Sequence, residues 1–429
     1  MELNRRGFMG AGAAFFASAG LGAFGADNKV VMPKDETGKV IQGFNETNAG
    51  KLSDLEWKPF SERKVRVGIA GEGFCDFGSA FGYQNHPNVE VVACADVQPD
   101  RLKLLQERVK APKAYPSCEE MIRHAAEDRL EAVYIATDAP SHARLAILAL
   151  DHGLNVATAV PAILGKDQLD LVPKLIDAVK RSGKLYMMNE TSAFRPECYA
   201  MRKLYEAGHF GRVVYTEGEY VHFAGRLNRS ADKKRDYFSY KGWRWGLPPQ
   251  YYPTHSNGYY TCVTHKRFTE VVCTGLPSTN WDYQPGKNDY DNVFQTEVAY
   301  YKCEDGSSAR MGVFWDTDMN GYNHGEDGRM FGQKGSYFPT RGGYRGFTEA
   351  KVKKDNSFLL KPQLPPGMPA GGHGGSHGYL TDDFLRGILV KDHKVCVDLK
   401  TALDTTVAGI YAHLSAVKGG ETLKIPAVM

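Results

Sequence analysis

The chain has 429 residues, a length typical of two domains, and its 42% hydrophobic and 24% charged residues are typical of a globular protein. The formal net charge is only +3 and no long basic run concentrates it, so the composition argues against a nucleic-acid-binding protein. None of the eight cysteines forms a Cys-x-x-Cys pair, which argues against a zinc knuckle or a thioredoxin-type site. Several lie in apolar runs, so we expect buried free thiols.

The N-terminal segment has the features of a twin-arginine export signal. Arg5 and Arg6 precede Phe8 and a short Ala/Gly-rich apolar stretch that ends near Gly25. This stretch is too short and too glycine-rich for a membrane span. We therefore expect residues 1–26 to direct export to the periplasm or beyond, with no stable membrane span left after cleavage. An uncleaved amphipathic tail is the alternative.

The next segments predict an arm and then a Rossmann domain. Residues 27–63 are polar and lack a strong hydrophobic period, which is typical of an arm or linker. Strands then alternate with helices over residues 64–188, which predicts a doubly wound parallel sheet of α/β class. The predicted strands cover residues 65–71, 89–96, 132–138 and 155–160, and the helical runs between them include 99–109 and 141–153.

The pattern changes after residue 188. Residues 189–429 predict an α+β substrate and oligomerisation domain with an open, mainly antiparallel sheet, one pair of its strands joined by a turn at Asp305-Gly306. The predicted strands lie within residues 212–223, 292–318 and 328–340, and the predicted helices within 196–211 and 378–390. An open sheet commonly buries its outer face against a partner, so we expect a homodimer or homotetramer.

The stretch VGIAGEGFCDFGSAF resembles a dinucleotide-binding loop with an unusual spacing. Gly71, Gly73 and Gly78 follow the first predicted strand as G-x-G-x4-G, two residues longer than the usual G-x-G-x-x-G. Asp96 ends the next predicted strand, where a carboxylate accepts hydrogen bonds from both ribose hydroxyls and repels a 2′-phosphate. The pattern therefore predicts NAD rather than NADP. A turn in an α/β sheet that binds no nucleotide is the alternative.

The run from Val65 to Pro161 resembles the glucose-fructose oxidoreductase/inositol dehydrogenase family. The segment IATDAPSH carries His142, and the segment that usually reads Glu-Lys-Pro contains Ala159 and Val160 here. In ordinary members that Lys lowers the pKa of the reacting hydroxyl and pairs with the developing alkoxide, which Val160 cannot do. The loop and the resemblance together imply NAD contacts at Gly71, Gly73, Phe74, Gly78, Asp96, Arg101, Thr137, Ser141, His142, Ala159, Val160 and Asn189.

One branch of this family also carries Val at this position and a Tyr-Pro-Thr-His motif. It is glycoside hydrolase family 109, the NAD-dependent α-N-acetylgalactosaminidases, and this chain is similar to it at residues 252–255. The resemblance implies catalytic residues His255 and Tyr252. It implies substrate contacts at Tyr220, Arg244, Pro253, Thr254 and His373. Ala159 stands where the branch has Glu, and Phe194 stands where it uses Tyr, so the sugar is left unassigned.

The resemblance implies glycoside cleavage through transient oxidation at sugar C3, elimination at C1, addition of water and re-reduction with retained NAD. His255, with an ordinary pKa of about 6.5, can accept the C3 hydroxyl proton. Tyr252 can hydrogen-bond that hydroxyl, or act as a base at C2 if its pKa of about 10 is depressed. A recycled cofactor suits an exported enzyme.

Two other readings of the same residues stay open. In the first, the protein is an enzyme that oxidises or reduces sugars: a sugar or polyol dehydrogenase, or a sugar–sugar oxidoreductase. In the second, it is a non-catalytic, nucleotide-bound sugar-binding protein. In all of them the expected partner is a small-molecule carbohydrate. No metal is predicted, because His373 and His377 have no evident third ligand. The charge run at residues 229–237 predicts a solvated loop.

Overall fold

The computed structural model describes residues 55–73, 75–222, 242–317, 325–355 and 359–429. The predicted export signal, most of the arm, Phe74 and the charge run at 229–237 lie outside the described residues. Within the described ranges, no helix combines the length and the apolarity that a membrane crossing needs.

The first half of the described chain forms a six-stranded, wholly parallel sheet, which confirms the predicted fold class. Its strand order is β3-β2-β1-β4-β5-β6, the order of a dinucleotide-binding Rossmann fold. The strands are β1 (Val65–Ala70), β2 (Val89–Ala95), β3 (Lys113–Tyr115), β4 (Ala132–Ile135), β5 (Asn155–Thr158) and β6 (Tyr186–Met188). All four residues of β4 are buried, as expected for a parallel sheet covered by helices on both faces.

Six α-helices of the described residues accompany this sheet. They are α1 (Phe77–Ala80), α2 (Pro99–Val109), α3 (Cys118–Arg123), α4 (Ala125–Asp128), α5 (His142–Asp151) and α6 (Leu171–Ser182). The helix that follows the glycine loop, α1, is only four residues long and ends before Gly82, whose φ of 74° is left-handed. This short helix departs from the usual fingerprint, in which a full helix follows the loop.

The second half contains an eight-stranded, mainly antiparallel sheet, as predicted. Its strand order is β13-β12-β11-β7-β10-β9-β8-β14, and only the pair β7 and β10 is parallel within the described residues. The strands are β7 (Val213–Val221), β8 (Phe268–Pro277), β9 (Phe294–Cys303), β10 (Ser308–Phe314), β11 (Glu326–Gly332), β12 (Gly335–Phe338), β13 (Gly343–Gly346) and β14 (Leu423–Lys424). The predicted turn joins β9 to β10, with Gly306 at φ 79°.

Five α-helices of more than four residues belong to this half of the described chain. They are α7 (Pro196–Glu206), α8 (Thr254–Thr264), α9 (Glu349–Lys354), α10 (His377–Leu389) and α11 (Leu399–Val417). Of these, α7, α8 and α11 pack on the second sheet. Helices α8 and α11 are almost completely buried, and α11 packs on both α8 and β8. Asp398 caps α11 by accepting the Thr401 N–H at 2.9 Å.

The chain's last third packs back against the Rossmann half. The Met188 N–H donates to Val397 O at 3.0 Å, next to the start of α11. The Thr381 hydroxyl on α10 donates to Phe81 O at 2.7 Å, just after α1. These contacts bring the glycine-rich segment before α10 beside the dinucleotide-type loop. All eight cysteines are free and seven are buried, as the sequence predicted.

Candidate active site

Two adjoining cavities lie beyond the carboxyl ends of β1, β2 and β4, the edge where Rossmann sheets bind ligands. The first, which we call the loop cavity, measures about 280 Å³ and is lined by the glycine loop and the ends of β2 and β4. The second, the histidine cavity, measures about 200 Å³ and is lined mainly by aromatic and histidine side chains of the second half. Phe77 and Arg244 line both.

The glycine loop is built for close approach to a ligand. Gly71 has a φ of 88°, and a Cβ there would lie 2.5 Å from Ala136 O, so only glycine fits beside the end of β4. Gly78 is packed just as tightly, because its Cβ would lie 2.5 Å from Gly71 O. The loop cavity is lined by six of the predicted cofactor contacts: Gly71, Gly73, Asp96, Arg101, Thr137 and Ser141.

Asp96 is fixed in this cavity by backbone donors. One carboxylate oxygen accepts the Glu72 N–H at 2.9 Å and the other accepts the Gln98 N–H at 2.8 Å. Each oxygen keeps a further lone pair for a ribose hydroxyl. The close glycine backbone, the cavity and the fixed acid together fit an adenosine diphosphate-type ligand such as NAD.

The other predicted cofactor residues of the described chain do not line this cavity. His142 is buried under the end of β4, with its ring nitrogens 2.9 Å from Pro161 O and 3.2 Å from Thr137 O, and burial lowers its pKa. The remaining four are buried side chains or packing contacts: Gly78, Ala159, Val160 and Asn189. They shape the strand ends, and Val160 contributes no charge there.

His255 lies in the first turn of α8 and lines the histidine cavity. Its Nδ1 is 2.9 Å from Glu190 Oε1 and 3.9 Å from Glu326 Oε2. An ionised carboxylate only accepts hydrogen bonds, so Nδ1 carries the proton and Nε2 is the nitrogen that can accept one. Burial alone would lower the pKa of His255, but the Glu190 and Glu326 carboxylates raise it above its ordinary value.

Glu190 is the second residue after the end of β6 and was missed by the sequence analysis. Its carboxylate is buried and accepts the Ser192 N–H at 2.7 Å while it faces His255. Burial would raise the pKa of Glu190, but the His255 charge and these hydrogen bonds lower it to about 2. An acid at the carboxyl end of a parallel strand was the available signal for it.

A second carboxylate reaches the cavity from β11. Glu326 accepts the Arg195 Nη2–H at 2.8 Å and the Ser192 hydroxyl at 2.8 Å, and all three residues are buried. Sequence reasoning missed Arg195 and Glu326, which are far apart along the chain. Their pairing holds the wall behind His255 electrically neutral.

Aromatic rings surround His255. The Tyr220 ring centroid is 4.6 Å from the His255 ring, and the Tyr252 centroid is 5.5 Å from it. Trp315, which the sequence analysis did not identify, packs edge-on to Tyr220 at 5.5 Å. Burial raises the pKa of Tyr252 to about 12, despite the nearby Arg244. Burial thus opposes the depressed pKa that a base at C2 requires, and the protonated Tyr252 hydroxyl is suited to donate a hydrogen bond.

Pro253 is the N-cap of α8 and Thr254 is its first residue; both are buried beside His255, and neither lines the described part of either cavity. Phe194 likewise packs away from both, stacked on Tyr379 with ring centroids 5.7 Å apart. The family difference at Phe194 thus falls outside the histidine cavity as its described residues outline it.

His373 enters the histidine cavity from the glycine-rich segment. Its φ of 52° is left-handed, a strained conformation for a residue other than glycine. Its Nδ1 lies 2.9 Å from His377 Nε2, and burial lowers the pKa of both imidazoles to about 4. No three His, Cys, Asp or Glu residues of the described chain are arranged to hold a metal ion.

Comparisons with known proteins agree with this geometry. Residues 65–190 match the family model described as an oxidoreductase family with an NAD-binding Rossmann fold. A glycosyl hydrolase family 109 protein of Porphyromonas gingivalis is 32% identical over 164 residues, which are 37% of this chain and 34% of that protein. An α-N-acetylgalactosaminidase of Bacteroides fragilis is 25% identical over 201 residues, 45% of this chain and 47% of that protein. The chain thus spans about a third to a half of these curated relatives.

Solved structures share the fold over a greater length. The WlbA dehydrogenase of Bordetella pertussis, solved with NADH and UDP-GlcNAcA, superposes with a TM-score of 0.63 at 16% identity and covers 86% of this chain and 99% of its own. The scyllo-inositol dehydrogenase of Lactobacillus casei, solved with NAD(H) and scyllo-inositol, gives 0.59 at 15% identity and covers 85% and 99%. The predicted NAD cofactor is confirmed at the level of the family. Over residues 65–190 the chain thus matches the glucose-fructose oxidoreductase/inositol dehydrogenase family of NAD-binding oxidoreductases, and over 37% of its length it is similar to a glycosyl hydrolase family 109 protein.

Proposed function

We propose that this protein is an exported, NAD-dependent glycosidase that cleaves its substrate through transient oxidation of a sugar carbon. The observation that carries the proposal is the position of His255. It lines a cavity of about 200 Å³ that shares Phe77 and Arg244 with the dinucleotide-type loop cavity. A sugar alcohol in the histidine cavity would therefore lie between an imidazole base and the cofactor.

His255 and Glu190 have separate tasks in the proposed reaction. His255 Nε2 takes the proton of the C3 hydroxyl, while Glu190 holds Nδ1 and stabilises the imidazolium that results. NAD, when bound in the loop cavity, supplies the acceptor for the C3 hydride and returns it at the end of the cycle. Once C3 is a carbonyl, the neighbouring C2–H is acidic: a water molecule in the cavity takes this proton, the C2–H electrons form the C1–C2 double bond, and the C1 substituent leaves with the electrons of its bond to C1. Water then adds to C1 and the steps reverse.

The remaining walls suit a sugar. Tyr220, Tyr252 and Trp315 present amphipathic rings that pack against C–H groups and hydrogen-bond hydroxyls. With a pKa of about 12, the Tyr252 hydroxyl keeps its proton and donates a hydrogen bond to the sugar. The cavity's size fits a single sugar ring, so we propose that the enzyme acts on a terminal residue. The relative named an α-N-acetylgalactosaminidase supports trying that glycoside first.

A cofactor that returns to its starting state each cycle needs no pool outside the cell. This agrees with the twin-arginine pattern at Arg5 and Arg6, from which we propose export. Replacing both with Lys should retain the protein in the cytoplasm, which cell fractionation would detect. We also propose a homodimer or homotetramer, which light scattering on the purified protein tests.

The test of function uses the purified full chain and nitrophenyl glycosides, α-N-acetylgalactosaminide among them, with no cofactor added. The proposal predicts many turnovers of nitrophenol release with no growth of NADH absorbance. His255→Ala should abolish release but keep bound NAD, whereas His152→Ala, which changes an exposed histidine after α5, should change neither.

Other results would select the alternatives. NADH that accumulates in step with sugar oxidation would mean a dehydrogenase. Sugar binding with no turnover on any glycoside or polyol would mean a binding protein. Unchanged release by His255→Ala would remove His255 from the reaction.

A further inference from the structure

The start of α1, which in the usual fingerprint faces the cofactor's diphosphate, is occupied by a carboxylate of the chain itself. Glu72 Oε2 accepts the Ser79 N–H at 2.9 Å, and Oε1 accepts the Ser79 hydroxyl at 2.7 Å. The Glu72 side chain is fully buried and paired with Arg108 at 2.6 Å. The Ser79 N–H of this short helix thus already donates to an anion of the chain. The start of α1 therefore offers a diphosphate fewer free N–H donors and less positive charge than the usual arrangement does.

The positive charge that a diphosphate needs must therefore come from other walls of the loop cavity. Three arginines of the described chain line it: Arg101, Arg144 and Arg244. Arg144 is paired with Glu119 at 2.8 Å. Arg101 belongs to α2, which follows Asp96 and thus lies on the adenosine-ribose side. Arg244 alone of the three also lines the histidine cavity.

The position of the Arg244 side chain is fixed by its neighbours. Its guanidinium carbon lies 3.9 Å from the centroid of the Trp243 ring and 5.9 Å from that of Tyr252. The turn that carries it is closed by the Leu247 N–H, which donates to Arg244 O at 3.0 Å. Asn292 donates to Gly246 O at 3.1 Å and so ties this turn to the segment before β9. A fixed guanidinium loses little entropy when it binds an anion.

We propose that Arg244 binds the diphosphate of the dinucleotide and retains the cofactor between turnovers. The residue then closes the loop cavity from the second half of the chain, where it supplies the charge that the Glu72-capped helix lacks. This inference rests on the NAD part of the proposed function and not on the glycoside chemistry. It differs from the substrate contact that the sequence analysis assigned to Arg244.

Ligands that differ in the diphosphate test this directly. Arg244→Gln in the full chain should weaken ADP-ribose and NAD by about ten- to a hundredfold, since a hydrogen bond to a charged group contributes about 1.5–3 kcal/mol. Adenosine, which has no phosphate, should bind as to the unchanged protein. Arg244→Lys should recover part of the loss, because it keeps the charge without the planar fork. Arg181→Gln, on the exposed face of α6, is the control for folding and net charge.

Titration by calorimetry and the rate at which NAD leaves the protein are the readouts. Unchanged ADP-ribose affinity in Arg244→Gln, with only the KM for glycoside raised, would overturn the inference and leave Arg244 as a substrate contact. Equal weakening of adenosine would overturn it too. If the unchanged protein binds neither ADP-ribose nor NAD, the cofactor part of the proposed function fails as well. If the protein binds ADP-ribose but cleaves no glycoside, the ADP-ribose affinity of Arg244→Gln still decides whether Arg244 binds the diphosphate.

Discussion

Replacing Glu190 by Gln should shift the pH dependence of the reaction, because Glu190 sets the pKa of the proposed base. The pKa of Glu190 is lowered from 4.5 to about 2. At about 1.4 kcal/mol for each pKa unit, its ionised form is favoured by about 3 kcal/mol in the folded protein. The carboxylates raise the pKa of His255 against the opposing effect of burial. Without Glu190, burial dominates and the pKa of His255 falls.

The assay is the pH dependence of kcat/KM, which reports the free enzyme's base. Its acid limb, where His255 becomes protonated, should move to lower pH by about one to three units, the effect of losing an opposite charge at this distance. The plateau should drop by about ten- to a hundredfold, since a weaker and less oriented base loses part of the ~10²–10⁴ that general base catalysis supplies. Glu190→Asp should recover part of both.

The pH dependence of the free energy of unfolding tests the Glu190–His255 pair independently of the reaction. The lowered pKa of Glu190 stabilises the fold above its unfolded value of 4.5, and this contribution is lost as the pH falls through about 2. The raised pKa of His255 stabilises the fold below its unfolded value of 6.5, and this contribution is lost as the pH rises through the folded value. Urea unfolding of Glu190→Gln should therefore show its greatest loss between about pH 4.5 and 6.5.

A matched control is available in the same chain. Glu297 and His413 form another buried pair, with Glu297 Oε1 2.7 Å from His413 Nδ1, and neither lines the described part of the two cavities. Glu297→Gln should lower stability without moving the acid limb. If Glu190→Gln leaves the acid limb where it was, His255 is not the titrating base and the reasoning is refuted.

Three further variants test other parts of the site. Gly71→Ala should destabilise the fold by about 2 kcal/mol more than Gly153→Ala in urea unfolding, because both have positive φ but only Gly71 would place its Cβ 2.5 Å from a backbone oxygen; equal losses would contradict the tight loop. Asp96→Asn should reduce the preference for NAD over NADP by about tenfold in fluorescence titrations, since an amide does not repel a 2′-phosphate; an unchanged ratio would place the ribose elsewhere. Tyr252→Phe should lower kcat/KM by about tenfold and leave both limbs of the pH profile in place, because a hydroxyl of pKa about 12 stays protonated; a lost basic limb would make Tyr252 a base.

The fold could be predicted from the sequence because its signals are local. Alternating strands and helices up to Met188 predicted the parallel sheet, and the turn at Gly306 joins the antiparallel pair that was expected there. The short edge strand β3 and the four-residue α1 were not predicted. Their lengths depend on tertiary contacts, such as the Glu72 carboxylate that caps α1.

The candidate site could be predicted only where a motif carries it. Tyr252 and His255 stand together in one motif, and the structure brings them to one cavity with Tyr220, Arg244 and His373. Glu326 lies on β11 and comes close to His255 because β11 pairs with β7. A single sequence does not reveal this strand pairing. Glu190 follows a three-residue strand too short to stand out by pattern. The missing information is which distant carboxylates converge on a known histidine.

Turnover in deuterium oxide tests the central claim most directly. A glycoside is incubated with the purified protein, without added NAD, and the released sugar is analysed by NMR and mass spectrometry. Oxidation at C3 followed by elimination predicts one solvent deuterium at C2 and none at C3, because the C2 proton exchanges while the C3 hydride returns from the bound cofactor. A released sugar with no deuterium at C2 would contradict the account.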